Sequence, residues 1–251
     1  MTRSRRCSRL PGVTNEPQVI EELRRASGAH SEVALRRRTA ADGTVVTELI
    51  VDGVFAMDDV DTSTERALAT ETLRRCRGEQ LRVLVGGLGL GWTAATVLAE
   101  PRVAEVGVVE LESALVDWAA DGLLPGLPGL PAERLQLHVG DVGDALADTP
   151  GSWDAILLDV DNGPAFLVHP ANAALYEEAG LRTALAALRP GGVLAIWSSD
   201  RAPELVERLA HVPGAADVED LLLPVERDGR RFGYTIVVAR AGQSRSEGEE
   251  A

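Results

Sequence analysis

The 251-residue chain contains no lysine; all 25 of its basic residues are arginine. That absence excludes Schiff-base chemistry, pyridoxal phosphate attachment and a phosphate loop built on lysine. Cysteine is almost as scarce: Cys7 and Cys76 lie far apart in no C-x-x-C pairing, which argues against a disulfide framework or a zinc site and fits a reducing, cytoplasmic setting. The four histidines, His30, His138, His169 and His211, have no metal-ligand spacing, so no metal is expected. No apolar stretch approaches a membrane span, and the arginine-rich start lacks the apolar run of a signal peptide. Positive charge is also in deficit. With 25 basic against 39 acidic residues the net charge is -14, which argues against a nucleic-acid partner and permits a cationic substrate.

What is present is enough apolar residue, 45% of the chain, for one sizeable core. By composition, residues 1–17 read as a disordered leader and 241–251 as a disordered tail. Residues 18–61 read as a small region, a short helix followed by strands, with turns at AADG and VDGV. TSTERALATETLRRC then has helical spacing behind a Ser/Thr start and leads into the large domain, 62–240.

From Leu81 onward, short apolar runs alternate with helical stretches: LRVLV, GWTAATVLAE, VAEVGVVE, ESALVDWAA, RLQLHV, DALAD and WDAILLDV. The helix ANAALYEEAGLRTALAAL, the strand GGVLAIWSS, the helix APELVERLAHV and two closing strands complete the series. Alternation of this kind predicts an α/β fold, a doubly wound, mostly parallel Rossmann-like sheet whose crevice lies at the carboxyl ends of the central strands. PGLPGLP at 125–131 reads as a surface loop of restricted backbone.

Chemistry-bearing residues fall where that crevice is expected. After the first long-domain strand come Gly86, Gly87, Gly89 and Gly91, running straight into a helix, so the backbone can turn tightly and approach a ligand. About 20 residues on, the next strand ends at Glu110, where a carboxylate can hold both ribose hydroxyls of an adenosine group, or merely open the following helix. The third strand ends at Asp141, at the sheet's carboxyl edge, where a carboxylate could accept a hydrogen bond from an adenine amino group. The fourth ends in LLDVDNGPA, with Asp159 and Asp161 on one side if the chain stays extended. Two such carboxylates can bind an ammonium group or take a proton from an attacking amine; the competing reading is an Asx turn. Trp92 beside the glycine loop can stack on a ligand or pack in the core. His169 is a further acceptor-site candidate.

Together these segments resemble the spermidine synthase-like polyamine aminopropyltransferases, which have the class I S-adenosylmethionine-dependent methyltransferase fold. The resemblance runs from about Val45 to Arg240 and includes the Val51, Asp52, Gly53, Val54 turn, the glycine loop, VVELE, VGD, LLDVD with GPA, LYEEAGL and LRPGGVLAIWS. It implies that Glu110 binds the ribose, that Asp141 binds the adenine and that Asp159 is the catalytic aspartate. The expected co-substrate is decarboxylated S-adenosylmethionine or S-adenosylmethionine, and the expected partner a small-molecule amine; a homodimer is compatible with this reading. The chain departs from the family pattern at Ala56, where a glutamine is usual, and at Thr64, Glu65 and Arg66, where a tyrosine and a polar partner form the amine gate. It also has Leu88, Gly89 and Leu90 where the family's loop carries an aspartate that selects the decarboxylated substrate, and its aspartate block is two residues shorter. A small-molecule methyltransferase and a non-catalytic nucleoside-binding relative are therefore the competing functions.

Overall fold

The computed structural model describes residues 19–128, 133–160, 162–164, 166–167, 169–227 and 230–242. The proposed leader, most of the proposed tail and Asp161 lie outside them.

The chain starts with four strands, β1 (Val19–Ser27), β2 (Glu32–Thr39), β3 (Val45–Val51) and β4 (Val54–Asp58), paired in sequence order as an antiparallel sheet. Residues 19–27 are thus a strand and not the expected short helix. Their Glu, Leu and Arg content suits a helix, but Glu21 and Glu22 stand opposite Arg37 and Arg36 on β2. Cross-strand charge pairing, including Glu21–Arg37 at 3.5 Å, and the hydrogen-bonded ladder outweigh that local propensity. The expected VDGV turn is present: Asp52 and Gly53 both have positive φ, 50° and 76°, as a two-residue hairpin turn requires.

The larger part follows as α1 (Ser63–Arg75), β5 (Leu81–Gly86), α2 (Trp92–Ala99), β6 (Val103–Glu110), α3 (Ser113–Ala120), β7 (Leu135–Val139), α4 (Val142–Asp148) and β8 (Trp153–Leu158). Then come α5 (Ala173–Tyr176), α6 (Glu178–Ala187), β9 (Leu188–Ser198), α7 (Pro203–His211), β10 (Ala215–Arg227) and β11 (Arg230–Ala241). The seven-stranded sheet has the order β10-β11-β9-β8-β5-β6-β7. Strands β5 to β9 are parallel, while β11 is antiparallel to β9 and β10 to β11. The predicted doubly wound sheet is therefore found, with the small antiparallel sheet before it.

The central strands have continuous apolar runs because both faces of the sheet are covered. Val83, Val85, Leu157 and Ala195 belong to one core cluster, shared with α1, α2 and α3 and with Val33, Leu35 and Leu49 of the first sheet. Leu84, Ile156, Leu194 and Ile196 belong to the other, covered by α4 to α7. Two local expectations change. The helix expected over 171–188 is broken at Glu177, whose backbone is extended (φ -78°, ψ 160°), and Gly180 packs directly on the backbone of α5. The PGLPGLP segment is not simply surface: within its described part Leu127 is buried, as is Leu124 just before it. Among the described residues no helix is long and apolar enough to cross a membrane.

Candidate active site

At the carboxyl ends of β5, β6 and β8 a cavity of about 200 Å³ opens between the two sheets. Its floor comes from the loops after those strands and its roof from Val33, Leu49, Val51, Ala56 and Met57 of the first sheet. Glu65, Glu110, Glu112, Asp141 and Asp159 all line it, and no arginine does so among the described residues. A cavity so lined favours cationic and hydroxyl-bearing ligands over anions.

The glycine loop shapes one wall. Gly87, Gly89 and Gly91 have φ of 90°, 50° and 89°, in the left-handed region that side chains resist. At Gly87 the approach is tightest, since a Cβ there would stand 2.2 Å from the Asp159 carbonyl oxygen. Glu110 holds this loop: its carboxylate accepts the Leu88 N–H at 2.8 Å and the Glu112 N–H at 2.9 Å. Burial raises its pKa, against the lowering effect of those backbone donors. Glu110 is thus a loop anchor, with spare lone pairs for a ligand hydroxyl.

Glu112, which sequence reasoning did not single out, is also buried, and among the described residues neither of its carboxylate oxygens has a hydrogen-bond partner. A buried carboxylate without donors is costly, so a ligand carrying hydroxyl or ammonium donors fits the space. With the open glycine loop, this orphan acceptor suits a nucleoside with a ribose diol.

Asp159 follows β8 directly. The Thr93 hydroxyl donates to its Oδ2 at 2.6 Å, and its N–H donates to the Gly86 carbonyl at 2.8 Å, which ties it to the glycine loop. Burial raises its pKa, opposed by the Thr93 hydrogen bond. A carboxylate so held can accept a proton. Glu65, on the first turn of α1, faces the same cavity and accepts the Thr64 hydroxyl at 2.8 Å. Burial first and the Asp159 charge second push it up to about 7.

Asp141 caps α4, accepting the Gly143 N–H at 2.6 Å, and is largely exposed at the cavity edge. His169 lines the cavity and meets His30 edge-on at 5.5 Å between ring centroids. Trp92 and Trp197 also line it, and both indole N–H groups lack an acceptor among the described residues. Ala56, also in the lining, presents only a methyl. The structure therefore brings Glu110, Asp141, Asp159 and the glycine loop together; sequence reasoning missed Glu112, Thr93 and Trp197. Among the described residues no group of three or more His, Cys, Asp or Glu could hold a metal ion.

Searches for relatives agree with this geometry. No protein-family model matches the chain. It is 29% identical to a spermine synthase of Arabidopsis thaliana over 149 residues, 58% of this chain and 40% of that protein. It is 28% identical to spermidine synthase 2 of Datura stramonium, again over 58% of this chain and 45% of that protein. The chain thus spans less than half the length of these curated relatives. Among solved structures, a spermidine synthase in complex with the transition state analogue AdoDATO superimposes with a TM-score of 0.69 at 17% identity, over 88% of this chain and 74% of that one. The fold is that of the spermidine synthases. A second one, from Thermotoga maritima, gives a TM-score of 0.66 at 15% identity over 86% of this chain and 72% of that one. The spermidine synthase fold accounts for both sheets, the small antiparallel one and the mostly parallel one.

Proposed function

We propose that the chain is an aminopropyltransferase, moving an aminopropyl group from decarboxylated S-adenosylmethionine to an amine. The observation that carries this reading is one cavity in which carboxylates that suit a nucleoside, Glu110, Glu112 and Asp141, adjoin a carboxylate placed to take a proton, Asp159. The similarity to spermidine and spermine synthases supports the same class.

The sulfonium substrate supplies an electrophilic methylene carbon. The protein's part is positioning and proton transfer. The glycine loop, held by Glu110, gives backbone access, and the Glu112 oxygens accept ligand hydroxyls. Thr93 fixes the Asp159 carboxylate, which takes the proton of the entering amine and frees its lone pair. A new C–N bond then forms as the C–S bond breaks, its electron pair returning to sulfur in methylthioadenosine. The roof from β2, β3 and β4 keeps water from the reacting atoms.

Methyl transfer from intact S-adenosylmethionine is the second reading, favoured by Gly89, which places no carboxylate in the loop. The two are separated by offering each sulfonium substrate with a panel of amines and identifying the product by mass spectrometry. Methylthioadenosine is expected; S-adenosylhomocysteine would assign the chain to methyl transfer, and neither product would leave it a binder.

A further inference from the structure

We propose that Glu65 is a specificity-determining residue of the acceptor site, acting with Asp159 so that the acceptor's positive charge replaces a proton carried by one of the two carboxyl groups. This deepens the aminopropyltransferase reading and rests on it.

Three observations support the pair. Glu65 and Asp159 come from unconnected elements, α1 and the end of β8, yet line one cavity. Thr93 bridges them: its hydroxyl donates to Asp159 Oδ2 at 2.6 Å and lies 3.5 Å from the Glu65 backbone carbonyl. The nearest cation in sequence is engaged elsewhere, since the Arg66 guanidinium lies 4.7 Å over the Trp92 ring and donates to Thr62 Oγ1 at 3.0 Å. The other charged or titratable groups are Asp61, which repels Glu65 at the start of α1, and Glu110, Glu112, Asp141 and His169 across the cavity. The carboxylates among them do nothing to neutralise the pair.

Two desolvated carboxyl groups that share one cavity and repel each other do not both ionise readily. With Glu65 raised to about 7, an empty site keeps a proton on the pair below neutrality. An ammonium ion entering the cavity stabilises the doubly ionised state and expels that proton. Affinity for a cationic amine therefore rises as the pH rises through about 7, while the amine itself remains protonated. Acceptor binding is consequently linked to proton release.

The test uses n-butylamine as probe with methylthioadenosine present, by calorimetry at pH 6 and pH 8, on the parent and on Glu65→Gln and Glu65→Asp. The parent should gain on the order of tenfold in butylammonium affinity between the two pH values. Glu65→Gln should lose that gain and Glu65→Asp keep most of it, with methylthioadenosine affinity unchanged in both. A parent that binds methylthioadenosine but shows no pH gain overturns the pair, as does a Glu65→Gln variant that keeps the gain. A parent that binds no methylthioadenosine instead overturns the reading of the cavity itself, and the pair with it.

Discussion

A methyl group added at Gly87 would have to fit within 2.2 Å of the Asp159 carbonyl oxygen, on a backbone with φ of 90°. Neither can relax alone, because the Gly87 N–H is bonded to the Val109 carbonyl and the Asp159 N–H to the Gly86 carbonyl. Gly87→Ala should therefore cost about 1–3 kcal/mol of stability and weaken methylthioadenosine binding together, measured by thermal unfolding and calorimetry on one preparation. Asp159→Asn separates chemistry from binding: it keeps the size but cannot take the amine's proton, so turnover should fall by about 10²–10⁴-fold while affinity for methylthioadenosine changes little. Equal turnover in a folded Asp159→Asn variant would remove Asp159 from the mechanism. Residues at strand ends, such as Glu110 and Asp159, were legible in the sequence because topology alone sends them to the crevice. Glu112, Thr93 and Trp197 were not, since their approach depends on how helices and the roof pack. Glu65 was noticed only as a departure, and an acidic residue in a first helical turn reads equally well as a partner of the helix dipole.

Among the elements, β2 and β3 are joined by a charge arrangement that sequence reading did not anticipate. Glu48 on β3 is buried between Arg36 and Arg38 of β2, with both contacts at 2.6 Å. Burial alone would raise its pKa, but the two arginines outweigh that and leave it lowered. A carboxyl whose folded-state pKa is depressed stabilises the fold above its ordinary value of 4.5 and loses that contribution as the pH falls through the folded-state value. Glu48→Gln should thus cost about 1–3 kcal/mol at pH 7, with the gap to the parent closing stepwise as the pH falls below 4.5; urea unfolding in steps from pH 7 down to about pH 2 reads both. Strands of the larger sheet were legible because runs such as LRVLV and WDAILLDV admit little else when both faces are buried. The edge strand β1 was not: its charged residues are stabilised by partners on β2, which local sequence does not contain. The break between α5 and α6 was hidden for a similar reason, because a close Gly180 contact sets it.

Across the whole molecule, the cavity lies at the junction of the two sheets, so binding and folding are coupled. Leu49 belongs both to the cavity roof and to the core cluster that includes Val85 and Leu88. Gly28, between β1 and β2, packs so closely on Glu112 that a Cβ there would stand 1.8 Å from Oε2. The first sheet is thus part of the main core and not an appendage, and it should melt with the rest in a single transition. Methylthioadenosine at about a hundred times its dissociation constant should stabilise that transition by about 2.7 kcal/mol. For a chain of this size that is a rise in Tm of about 5–10 °C. Leu49→Ala should lower the ligand-free Tm, through a loss of about 2–5 kcal/mol, and also weaken the ligand, because one side chain serves core and roof at once. Scanning calorimetry with and without methylthioadenosine on both proteins decides the matter. Two separate transitions, with the ligand moving only one of them, would mean that the first sheet covers the cavity without sharing its energetics, and that water exclusion must come from the loops after β5 and β8 instead.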